Sequence, residues 1–72
     1  MNLNKKELGL KIKQYRKLQK ITQENLCGDE AILTTRQLQR IENGKNLPSL
    51  ESFLYIVKQL SISIEEILEI NF

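Results

Sequence analysis

Residues 34–44 read TTRQLQRIENG, and the fold turns on how this stretch is understood. Thr34 carries a hydroxyl that accepts a backbone N–H from a first helical turn, and Gln37, three residues on, is the reciprocal partner of a capping box. Gly44 supplies the stop. Leu38 and Ile41 stand three apart and can turn inward together, whereas Arg36 and Arg40 stand four apart on a different, outward face. The stretch reads as a short helix anchored on one side and presenting two guanidinium groups on the other.

Moving toward the amino terminus, Leu33 is a better plug than Ile32 for the segment EAILT, which Gly28 and Asp29 separate from what precedes it. Thr22 is a second cap, opening a helix of one to two turns from Gln23 to Cys27 that Leu26 anchors, with Ile21 as a core plug before it. Cys27 reads as a small buried residue at a tight crossing, since no base or ligand companion is present to make it reactive. A short helix, a turn and a longer capped helix is the helix-turn-helix order. Further back, Asn4 caps a first helix of about Lys5 to Gln19, with Glu7 as reciprocal partner and Leu8, Ile12 and Tyr15 along one face. Lys6, Lys11, Lys13 and Lys17 fall on its solvated faces. Arg16 lies beside the apolar stripe and needs a partner if covered.

Toward the carboxyl terminus, the polar loop KNLP holds the only proline, and Ser49 then caps a core helix with Leu50, Phe53, Leu54, Val57 and Leu60 as its apolar positions. Ser63 with Glu66 forms another capping box, and Ile64, Ile67 and Leu68 make a last short helix. No alternating apolar run with turn signals occurs, so the expectation is an all-α domain of five helices spanning residues 1–72. Ile70 and Phe72 have no evident core role; either they pack back on the last helix or the natural chain continues past them, and the second is the expectation.

Composition narrows the function. A chain of 72 residues buries only roughly 60% of the surface it exposes unfolded, leaving no room for a deep catalytic cleft beside its core. Apolar residues at 40% and charged ones at 28% describe a folded soluble domain. With no histidine and one cysteine, a disulfide framework, a zinc cluster and most catalytic triads lack their parts, so neither an enzyme, a metal site nor a cofactor is expected. Lysines interrupt the amino terminus and FLYIV is the longest apolar run, so neither a signal peptide nor a membrane span is expected, and the chain is read as cytoplasmic. Net charge is only +2, but residues 1–20 carry seven bases and one acid, while residues 49–72 carry four acids and Lys58 alone. A basic side and an acidic side follow.

The caps, the IENG stop, the polar loop, PSLESFLYIVKQL and SISIEEIL together resemble the helix-turn-helix domain of the Cro and lambda/434 repressor type, also called XRE. The likeness runs from about Leu8 to Leu68. Within it, LCGDEAILTTRQLQRIENGKNLPSL most resembles the amino-terminal domain of the Rgg and ComR group of streptococcal peptide-pheromone regulators, although the turn before Thr34 is one residue longer than in the repressors. The resemblance implies a five-helix lambda-repressor-like fold, a positioning helix at Thr22 to Cys27, a recognition helix at Thr35 to Asn43, and a pairing of Arg16 with Glu42.

It also implies a binding mode on double-stranded DNA. The recognition helix enters the major groove with its first residues nearest the base edges, making Thr35, Arg36, Gln39 and Arg40 the candidates for base contact. The two arginines suit guanine O6 and N7. Thr22 and Gln23 at the preceding helix terminus, and Asn43, Lys45 and Asn46 after the recognition helix, are placed to hold the phosphate backbone. A palindromic operator, a homodimer when full length or on DNA, and a peptide pheromone bound by a domain outside this chain are the partners implied. The competing reading is a protein-interaction module, antitoxin-like or an adaptor, whose working surface is the acidic last two helices with Ile70 and Phe72.

Overall fold

Side chains set where the helices of the computed structural model begin. The structure describes residues 4–68. Asn4 Oδ1 accepts the Glu7 N–H at 2.8 Å and starts α1, Lys5–Leu18. Only this half of the expected box forms. Thr22 Oγ1 accepts the Asn25 N–H and starts α2, Gln23–Cys27. At α3, Thr35–Glu42, the box is complete: Gln37 N–H donates to Thr34 Oγ1 at 3.0 Å, and Thr34 N–H donates to Gln37 Oε1 at 2.9 Å. Ser49 Oγ accepts from Ser52 at the head of α4, Leu50–Leu60, and Ser63 exchanges bonds with Glu66 at the head of α5, Ile64–Leu68. The described residues contain no strand.

One core gathers all five helices: Leu8 and Ile12 from α1, Leu26 and Cys27 from α2, Leu33 from the turn, Leu38 and Ile41 from α3, Ile56, Val57 and Leu60 from α4, and Ile67 from α5. Leu33 is the turn plug, fully buried, while Ile32 is exposed. The expected inward face of α4 needs correction. Leu50 is 74% exposed and Leu54 45%, and the buried row is Ser52, Ile56, Val57 and Leu60, with Phe53 partly covered beside it. Apolar residues occupy most of the circumference of this helix, so spacing alone does not select the buried stripe. Ser52 is admitted to the interior because its Oγ accepts from Ser49 Oγ at 3.1 Å. Ile70 and Phe72 lie outside the described residues.

Two glycines let α1 lie directly on α3. A Cβ at Gly9 would collide with the Ile41 carbonyl oxygen, so backbone meets backbone where the helices cross. Gly44, with φ +75°, turns the chain out of α3 and sits against the first turn of α1, its added Cβ falling 3.0 Å from Lys6 Cα.

At the edge of this crossing Arg16 and Glu42 pair out of water, their side chains only 9% and 2% exposed. Arg16 Nε donates to Glu42 Oε2 at 2.7 Å and Nη2 to Oε1 at 3.0 Å, a bidentate grip. Arg16 Nη1 donates to the Ile21 carbonyl at 2.8 Å, and Gln23 Nε2 donates to Glu42 Oε1 at 3.1 Å. The hydrogen bond to the Glu42 carboxylate raises the Arg16 pKa above its ordinary value against the lowering effect of burial. One network thus joins α1, the link after it, the first turn of α2 and the last turn of α3. Elsewhere, Tyr55 Oη on α4 donates to the Leu26 and Cys27 carbonyls and pins the end of α2.

Gly9→Ala is expected to cost about 1–3 kcal/mol by overpacking, where an unobstructed helical glycine would gain roughly 1 kcal/mol from the same change; urea denaturation separates the two. Arg16→Ala leaves Glu42 buried without its charge partner and is expected to cost about 3–5 kcal/mol. An unchanged melting temperature in Arg16→Ala counts against the network as a structural tie.

Candidate nucleic-acid interface

Helix α3 divides cleanly. Leu38 and Ile41 are in the core and Glu42 is in the buried network, while Arg36, Gln39 and Arg40, at helical spacings of three and four, share one exposed face. The Arg36 and Gln39 side chains are exposed and make no hydrogen bond among the described residues, so both face solvent.

Arg40 is partly committed. With the Asn46 amide oriented to satisfy both its ends, Asn46 Oδ1 accepts from Arg40 Nε at 2.9 Å and Asn46 Nδ2 donates to the Lys45 carbonyl at 2.8 Å. The terminal nitrogens of Arg40 remain available for a two-pronged contact. Asn46 is thereby used to fasten the loop after α3 to the exposed face, and the Lys45 N–H donates to the Arg40 carbonyl in the same place. Asn43, the C-cap of α3, and Lys45 keep exposed side chains.

Thr35 is half-buried and stands apart from the other three candidates. Burial pushes the Cys27 thiol above its ordinary pKa, and a hydrogen bond with the Thr35 side chain works in the opposite direction. The Thr35 backbone N–H donates to Glu30 Oε2. At α2, Thr22 is exposed but its hydroxyl is occupied as the cap, and the Gln23 amide turns inward to Glu42. What this helix end offers outward is therefore backbone N–H rather than a Gln23 side-chain donor.

Spacing did not disclose two participants. Asn46 appeared only as a phosphate contact, and its bond to Arg40 depends on how the loop folds back. Glu30 was not singled out at all, because its link to Thr35 spans a turn and belongs to no capping pattern. Among the described residues there is no cluster of His, Cys, Asp or Glu able to hold a metal ion, and no helix is long and apolar enough to cross a membrane.

Solved structures resemble this chain closely. The apo competence regulator ComR from Streptococcus vestibularis is 46% identical with a TM-score of 0.88, over 94% of this chain and 23% of that one. ComR from Streptococcus suis is 33% identical with a TM-score of 0.89, over 100% and 23%. ComR from S. thermophilus, solved in complex with DNA and its signalling peptide ComS, is 48% identical with a TM-score of 0.84, over 90% and 22%. The chain thus spans less than a quarter of the length of these proteins. No curated protein matches it. The helix-turn-helix family model matches residues 12–67, most of the sequence, and the chain belongs to that family.

Proposed function

We propose that this chain is the DNA-binding domain of a cytoplasmic, peptide-responsive transcription regulator of the competence type, and that it reads double-stranded DNA with α3. The observation that carries this is the exposed Arg36, Gln39 and Arg40 face on a helix whose opposite side is locked by buried contacts. A reading helix must hold its side chains still to discriminate between bases, and a guanidinium on such a helix can grip guanine O6 and N7 with two bonds. The likeness to a ComR solved with DNA supports the same reading.

In this mode α3 lies in the major groove with Arg36 and Arg40 as the principal base readers, Gln39 reaching adenine or a phosphate, and Thr35 at the groove edge. The N–H groups at the start of α2, with Thr22 and Gln23, and the loop residues Asn43, Lys45 and Asn46 meet the phosphate backbone. A homodimer would place two copies on successive major grooves of a palindromic operator, about 34 Å apart. The ComR likenesses support a longer regulator in which residues 1–72 form the DNA-binding domain, and a further domain would dimerise and bind the peptide.

The test is a salt-titrated binding assay on a duplex selected from a random pool and on an unselected duplex. Arg36→Ala and Arg40→Ala are each expected to cost about 1–3 kcal/mol on the selected duplex and to blur one base position. Lys45→Ala is expected to weaken both duplexes alike and to reduce the salt slope by about 1. Equal losses on both duplexes for all three variants overturn the assignment of base readers.

A further inference from the structure

Arg36 and Arg40 stand on the same exposed face of α3, but the fold treats them differently. The Arg36 side chain has no hydrogen-bond partner among the described residues, so nothing selects among its rotamers. Arg40 is held. Its Nε donates to Asn46 Oδ1 at 2.9 Å, while Asn46 Nδ2 donates to the Lys45 carbonyl at 2.8 Å. The loop that carries Asn46 is itself fastened without this side chain. The Gly44 N–H donates to the Ile41 carbonyl at 3.0 Å and the Lys45 N–H to the Arg40 carbonyl at 2.9 Å, which returns the backbone onto the last turn of α3.

A guanidinium has two kinds of edge that make paired bonds in one plane, one formed by Nη1 and Nη2 and one by Nε with a neighbouring Nη. Asn46 occupies Nε and leaves the terminal edge. It also restricts the plane of the group, because the guanidinium is flat. An exposed bond of this kind adds little to stability in water, but under a duplex it acts in two ways. An arginine that is ordered only on binding gives up rotamer freedom at the expense of the contact, whereas one ordered beforehand does not. An Nε covered by DNA without an acceptor would also be a desolvated donor, and Asn46 satisfies it. The second Nδ2 hydrogen is not needed for either bond, so a phosphate contact by Asn46 does not compete with this role.

We infer that Asn46 is a positioning residue for base reading: it holds Arg40 by Nε, presents the terminal edge of the guanidinium to a guanine, and makes Arg40 the stricter of the two arginine readers. This rests on the proposed entry of α3 into the major groove. Arg36, which is not held, is the adaptable reader, able to turn from a base edge to a phosphate oxygen.

The experiment measures binding to the selected duplex and to the same duplex with each base pair changed in turn. The proteins are the wild-type chain, Asn46→Ala, Asn46→Asp, Arg36→Ala, Arg40→Ala and the double variant of Arg40→Ala with Asn46→Ala. The two arginine variants identify the pair that each arginine reads. Asn46→Ala is expected to lower the preference at the Arg40 pair about three- to tenfold and to leave the preference at the Arg36 pair unchanged. Added to Arg40→Ala, it is expected to lower no preference further. Asn46→Asp keeps an acceptor for Nε, so it is expected to retain the preference at the Arg40 pair while weakening every duplex by repelling phosphates. A loss in Asn46→Ala that is equal on all duplexes, a loss of preference that persists without Arg40, or an Asn46→Asp variant as indiscriminate as Asn46→Ala overturns the inference. If Arg40→Ala blurs a pair and Asn46→Ala does not, Arg40 stands as a base reader and only the role of Asn46 falls; if Arg40→Ala blurs no pair, its assignment as a base reader falls as well.

Discussion

Glu42 is the point on which the domain depends, because one buried carboxylate is held by side chains from two other helices. Arg16 approaches it from α1 and Gln23 from α2, while the same guanidinium reaches back to the Ile21 carbonyl. A buried ion pair is weak as a source of net stability, since removing both charges from water offsets much of their attraction. What it supplies here is direction. Its bonds are short and bidentate, so the placement of α3 on α1 is set by atoms that tolerate little displacement, with Gln23 tying α2 to the same carboxylate.

The glycine contact does the complementary job. Dispersion at the crossing of α1 and α3 improves as the helices approach, and at Gly9 the approach is limited by backbone atoms instead of side chains. The crossing is therefore tight at Gly9 and Gly44 and polar at Arg16 and Glu42. Together they press the reading helix against α1 along its carboxyl half, while its amino end sits half-buried at Thr35. Arg36 and Arg40 stand on the outward face of the helix.

The parts that could be read from sequence are those whose physics is local. Thr34 with Gln37, Ser49 and Ser63 with Glu66 cap within three residues, so their spacing is enough to place helix starts. Leu38 and Ile41 separate from Arg36 and Arg40 because α3 is strongly two-faced. Helix α4 is not, and Ile56 rather than Leu54 could be identified as core only once the other helices were in place. Gly9, Glu30 and the bond of Asn46 to Arg40 went unread for a shared reason: each acts on a residue or backbone atom brought near only by the fold. The Arg16 and Glu42 pairing is a tertiary contact too, but both positions lie beside apolar stripes, and the family resemblance joined them.

The separation between what holds α3 and what α3 displays bears on how such a protein can diversify. The side chains of Arg36 and Gln39 bond to nothing else among the described residues, so exchanging them leaves the core, the caps and the Glu42 network untouched. A lineage can thus change which DNA it addresses with little thermodynamic cost to the scaffold, whereas any drift at Arg16, Gln23 or Glu42 tilts the whole reading surface at once. The fold behaves as a fixed mount with an interchangeable face, and new sequence preferences are reached by walking along that face.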